Sequence, residues 1–166
     1  MVLVSRVTLV KDLDANALTN LMHHYPLVLH WVAADAAIPG SYWGEPEAGL
    51  ISHHLYLRKD TPVHSVLHET CHYLCMDPAR RAQLSSDAGG DYDEENAVCY
   101  LQILLAGYVD SYSRQHIWRD MDAWGYSFRL GSTRAWFEQD AEDARQWLLS
   151  AGLVDSENQP TWALRE

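Results

Sequence analysis

The residues His68-Glu69-Thr70-Cys71-His72 form the pattern H-E-x-x-H in a chain of 166 residues. Around this pattern, residues 63–76 contain no glycine or proline, which is typical of a helix interior. Thr61 is a suitable helix N-cap, and Pro62 fits the first helical position, where its missing N–H costs nothing. Pro78 favours a helix end just before it, because a residue that precedes proline is disfavoured in the α conformation. The sequence therefore predicts that the pattern lies on a helix.

A helix places the two histidines of this pattern on the same face. Side chains four positions apart are neighbours, with Cβ atoms roughly 5–6 Å apart, so His68 and His72 can both reach one Zn²⁺ ion. Glu69 lies beside that face, where a carboxylate can take a proton from metal-activated water without binding the ion. We therefore predict that His68 and His72 are zinc ligands and that Glu69 is a general base.

A catalytic zinc ion usually has three protein ligands, and residues 91–102 are the best source of the third. Asp91 can cap a second helix there, and the residues that follow are almost wholly apolar. At about 100° per residue, Glu94 falls on the apolar face, where a carboxylate needs a partner or a metal, and it is the favoured ligand. Glu95 falls on a more polar stripe and is the alternative, followed by Asp91 and Asp93. Both glutamates also have structural explanations: Glu94 can form a capping box, and Glu95 is an acid in the first turn, where the helix dipole favours it.

Together these two segments resemble the gluzincin metallopeptidases, in which H-E-x-x-H precedes a helical glutamate. The pattern Glu94-x-x-Ala97-x-x-Tyr100-Leu101-x-x-Leu104-Leu105 is also similar to E-x-x-A-x-x-F-A-x-x-L-L in the ImmA/IrrE peptidase family. This resemblance covers residues 64–105 and implies a zincin-like fold, with His68, His72 and Glu94 as zinc ligands and Glu69 as the base. The chain differs from that family at Thr70-Cys71, where Leu-Gly is usual.

The composition indicates one acidic domain. A chain of this length suits a single domain with a real core, and 48% of its residues are hydrophobic. The net charge of −11 repels nucleic-acid phosphate and acidic membranes, so we expect neither as a partner. We find no apolar run that could span a membrane and no signal-type start. With Cys71, Cys75 and Cys99 expected to be reduced, we predict a cytoplasmic protein.

The remaining patterns complete a prediction of the fold class. Alternating and β-branched stretches predict strands at residues 2–10, 27–33 and 49–58. Helical patterns and stop signals predict further helices, at residues 12–24, 113–123 and 133–151. We therefore predict an α+β fold spanning residues 1–166: a small zincin-like domain, mostly helical, with a three-stranded sheet packed on the H-E-x-x-H helix.

These predictions favour a zinc-dependent peptide hydrolase that acts on a peptide or protein substrate. The alternative is a non-catalytic zinc-binding or protein-interaction domain. Three tyrosines are candidates for a phenol that hydrogen-bonds the tetrahedral intermediate, and the sequence favours none of them: Tyr108, Tyr112 and Tyr126. Trp43, in the loop 34–49, is a candidate wall of the substrate cleft or a cover for the edge of the core.

Overall fold

A computed structural model describes residues 6–42, 44–84 and 88–166. In this part of the chain, three strands form one sheet in the order β1-β3-β2: β1 (Val28–Trp31), β2 (Gly49–Ile51) and β3 (His54–Leu57). Strand β1 runs parallel to β3, and β2 runs antiparallel to it. The helices are α1 (Ala17–Met22), α2 (Val63–Cys75), α3 (Pro78–Ala82), α4 (Tyr92–Ala106), α5 (Arg114–Trp124), α6 (Thr133–Gln139) and α7 (Glu142–Ser150). This confirms an α+β fold that is mostly helical, with a small three-stranded mixed sheet.

Two of the predicted strands differ from the structure. Residues 2–5 lie outside the described residues, and in the rest of the segment 2–10 Leu9 forms only an isolated bridge with Pro62. The chain then turns through the 3-10 helix Val10–Asp12, because the Asp12 carboxylate accepts a hydrogen bond from the Leu9 N–H at 2.9 Å. The segment 49–58 is a hairpin, not one strand, since the backbone reverses where Ser52 adopts a φ of 53°.

The helix that carries H-E-x-x-H begins and ends close to its predicted limits. It spans Val63–Cys75, and its N-cap residue is Pro62, which corrects the choice of Thr61. The Thr61 hydroxyl instead accepts a hydrogen bond from the Arg58 N–H at 2.9 Å. The predicted helix 133–151 is interrupted near Asp140, whose carboxylate pairs with Arg129, and it becomes α6 and α7. Trp43 lies outside the described residues.

Helix α2 lies at the centre of the core, between the sheet and α4. Leu67 and Leu74 of α2 and Leu104 of α4 have no exposed surface, and each such side chain contributes about 1.5–3 kcal/mol when buried. This packing holds α4 against α2 with the first turn of α4 near the middle of α2. No helix in the described ranges combines the length and the apolar character that a membrane crossing needs.

Candidate metal centre

Three side chains from α2 and α4 converge on one point. His68 Nε2 lies 3.0 Å from His72 Nε2, and the Glu95 carboxylate lies 3.1 Å from the first and 3.3 Å from the second. In a tetrahedral zinc site with bonds of about 2.0–2.2 Å, neighbouring donor atoms are about 3.3–3.5 Å apart. The separations in the structure are a few tenths of an ångström shorter than this, so a small outward movement of the three side chains would admit one ion.

Glu94, the favoured third ligand, does not lie with the histidines. Its side chain is buried, as predicted, with 4% of its surface exposed, but its oxygens accept hydrogen bonds from two arginines. Arg80 donates two of these at 2.7 Å each, and Arg165 donates a third at 3.1 Å. The carboxylate that the structure brings to the histidines is the alternative, Glu95. The reason is that buried charge on Glu94 is compensated by guanidinium groups that are distant in sequence.

Gln102 fixes the orientation of His68. His68 Nδ1 donates to the Gln102 Oε1 atom at 2.9 Å, which leaves Nε2 to face the convergence point. The Gln102 amide is itself oriented, because its Nε2 atom donates to the carbonyl oxygen of His64 at 2.9 Å. Metal-binding histidines usually have such a partner on the second ring nitrogen. Sequence reasoning assigned Gln102 no role, although it lies two turns after Glu95 on the same polar stripe of α4.

A cleft of about 620 Å³ lies beside the three converging side chains. It is lined by Gly44, Glu45, Pro46, Glu47, Ser65, His68, Glu69, Glu95, Trp124, Gly125 and Tyr126. Glu69 is in this lining but not among the three converging groups, which is the position expected of a base that does not bind the ion. Burial raises the pKa of Glu69 to about 7, with the charges of Glu47 and Glu95 adding to this and His68 opposing it.

Tyr126 is the only one of the three candidate tyrosines that lines the cleft. Its hydroxyl lies 3.1 Å from His64 Nδ1 and 3.3 Å from Gln102 Nε2. By contrast, Tyr108 hydrogen-bonds Gln159, and Tyr112 donates to the buried Asp120 carboxylate at 2.7 Å. Burial raises the pKa of Tyr126 to about 12, so its phenol keeps its proton near neutral pH.

The tautomer of His64 decides the direction of its hydrogen bond with Tyr126. Burial and the charge of His68 lower the pKa of His64 to about 3, so its ring is neutral. Its Nε2 atom is buried and has no hydrogen-bond partner among the described residues. A buried donor without a partner is rarer than a buried acceptor without one, which favours the Nδ1–H tautomer. In that tautomer the Tyr126 oxygen accepts from both His64 and Gln102, so its own O–H is available to a further acceptor.

The donor set of the centre consists of two imidazole nitrogens and one carboxylate, which suits Zn²⁺. No fourth histidine, cysteine or acid joins this group in the described part of the chain. Comparison of the chain with protein-family models, with curated proteins and with solved structures finds no match.

Proposed function

We propose that this protein is a zinc-dependent peptide hydrolase with His68, His72 and Glu95 as the zinc ligands. The observation that carries the proposal is the convergence of these three donor groups at the edge of a cleft that Glu69 also lines. Three protein ligands with one open position are typical of catalytic zinc, whereas structural zinc has four. The cleft volume falls within the range of about 300–1,000 Å³ found for ligand sites.

Zinc bound to these ligands would lower the pKa of water and polarise the scissile carbonyl. Glu69 accepts the proton of the attacking water and passes it to the leaving amine, as a general base and then a general acid. Tyr126 donates its O–H to the developing oxyanion. Gln102 holds the His68 ring so that Nε2, not Nδ1, faces His72 and Glu95, where it would bind the ion.

A purely structural zinc site leaves Glu69 without an explanation. Its side chain forms no hydrogen bond or ion pair with any described residue, yet it is partly buried and its pKa is raised to about 7. A partly buried carboxylate without a partner destabilises the fold. Such groups cluster at functional sites, where a raised pKa suits a general base near neutral pH. This observation favours hydrolysis over the non-catalytic alternative.

The test combines metal analysis with cleavage of peptides. Protein purified without a histidine tag should contain one zinc per chain and should cleave members of a diverse peptide pool, as read by mass spectrometry. Glu69→Gln should keep the zinc and lose cleavage, whereas Glu138→Gln, a matched change on the exposed face of α6, should keep both. Full cleavage by Glu69→Gln would contradict the assignment of the base, and protein without zinc would contradict the metal centre.

We also propose that the protein functions in the cytoplasm. Its three cysteines, Cys71, Cys75 and Cys99, are all buried and unpaired. Unpaired thiols are typical of proteins from reducing compartments. Subcellular fractionation should therefore recover the protein with cytoplasmic markers, and recovery with an extracellular fraction would contradict this location.

A further inference from the structure

A hydrogen bond between Glu47 and Trp124 joins two walls of the cleft. The indole Nε1 of Trp124 donates to the Glu47 Oε1 atom at 2.8 Å. Glu47 lies in the segment that precedes β2, and Trp124 is the last residue of α5, and both line the same cleft as Glu69. Trp124 keeps 38% of its surface exposed, so this bond orients a carboxylate and an accessible aromatic ring next to each other.

The charge of Glu47 is not compensated within the cleft. The described lining residues include four carboxylates and no lysine or arginine. Glu45 is paired with the Arg58 guanidinium at 2.8 Å, and Glu95 is paired with the two histidines. Glu47 has a hydrogen bond to a neutral indole and no ion pair with any described residue. A cationic group that enters the cleft therefore meets an available negative charge here.

We propose that the cleft selects peptides with a lysine or arginine side chain close to the cleaved bond, and that Glu47 with Trp124 binds that cation. This inference rests on the proposed peptide hydrolase function. The carboxylate supplies a charge-assisted hydrogen bond, and the indole face supplies a cation–π contact, a combination that suits arginine especially well. The net charge of −11 also attracts cationic segments toward the protein.

The expected preference is moderate because the binding pair is only partly buried. A carboxylate–cation pair at such a site raises kcat/KM by up to about fivefold, and the cation–π contact raises it by a further factor of about two to five. Peptides with arginine should therefore exceed matched citrulline peptides by about tenfold in kcat/KM. Citrulline keeps the size and the planar shape of the arginine side chain but carries an acceptor oxygen in place of one guanidinium nitrogen and has no charge, so the ratio measures the contribution of the guanidinium cation.

The experiment is to incubate the zinc-loaded protein with a randomised peptide pool and then to compare arginine and citrulline versions of the peptides that are cleaved. Glu47→Gln is the informative variant, since its amide oxygen can still accept the Trp124 N–H while the charge is removed. In this variant the arginine-to-citrulline ratio should fall about fivefold, to the roughly twofold that the cation–π contact with Trp124 still supplies. Glu47→Lys should invert the preference toward acidic peptides. Glu138→Gln, which changes the net charge equally on α6, should keep the wild-type ratio.

The possible outcomes distinguish an error in the proposed substrate class from an error in the proposed function. Cleavage without a preference for basic residues, or a preference that is undiminished in Glu47→Gln and Glu47→Lys, would overturn the substrate class and leave the peptide hydrolase standing. A pool left uncut by the zinc-loaded wild-type protein would overturn both. A fall of about fivefold in the preference in Glu47→Gln together with its inversion in Glu47→Lys is a result that a purely structural role of Glu47 does not produce.

Discussion

Replacing Glu94 or Glu95 with glutamine should have opposite consequences, although the two residues are adjacent in sequence. Glu94→Gln should destabilise the protein and keep its zinc affinity. Glu95→Gln should weaken zinc binding and change the stability of the metal-free protein only slightly. The reason is that Glu94 is paired with Arg80 and Arg165, whereas Glu95 faces the two histidines.

The expected losses of folding stability follow from the exposure of the Glu94 and Glu95 side chains and from the number of hydrogen bonds that each accepts. Glu94 accepts three bonds from guanidinium groups while its side chain is 4% exposed. Breaking a buried pair by removing one partner costs about 3–5 kcal/mol. The side chains of Arg80 and Arg165 are 32% and 33% exposed, so water can solvate them after the substitution, and we expect a smaller loss of stability of about 2–3 kcal/mol. Glu95 is 46% exposed, and its pairs should contribute less than about 1 kcal/mol.

The assay is urea unfolding in the presence of a chelator, followed by zinc titration against a chromophoric competitor. A loss of about 2–3 kcal/mol in Glu94→Gln corresponds to a fall in Tm of roughly 5–10 °C for a domain of this size. Removing the hydrogen-bond partner of a metal ligand lowers metal affinity by roughly 10–100-fold. Glu95→Gln replaces a ligand itself, so it should lower zinc affinity by more than this. Loss of zinc by Glu94→Gln with full retention by Glu95→Gln would refute the placement of both carboxylates.

Two further predictions concern the residues around the ligands. Because burial raises the pKa of Glu69 from 4.5 to about 7, the folded metal-free protein holds this proton longer than the unfolded chain, and stability falls as the pH rises between these values. Glu69→Gln should then stabilise the metal-free protein by about 1–2 kcal/mol at pH 8 and should not stabilise it at pH 4.5. Equal urea unfolding curves for the variant and the wild type at pH 8 would contradict this prediction. Gln102→Leu should lower zinc affinity by about 10–100-fold, because His68 loses the acceptor that orients it, and unchanged affinity in a zinc titration would show that packing alone holds the ring.

Local features of the sequence predicted the helices that carry the site. Asp91 caps α4 as expected, with its carboxylate accepting the Glu94 N–H at 2.9 Å. The spacing of His68 and His72 was sufficient to place both imidazoles together, because the helical repeat alone sets their relation. The prediction of strands was weaker at residues 2–10 and 49–58, where a side-chain hydrogen bond at Asp12 and a reversal at Ser52 interrupt the extended backbone.

The sequence by itself determined that two histidines and a neighbouring glutamate share a helix and that an acid at the start of α4 is buried. The tertiary structure alone decided what that buried acid contacts. Burial of Glu94 demands a compensating charge, but neither helical periodicity nor burial distinguishes a metal ion from a guanidinium. Arg80 comes from α3 and Arg165 from the segment after α7, so only the tertiary structure shows that Glu94 is already paired with them. The packing of α2 against α4 then leaves Glu95 to face the histidines.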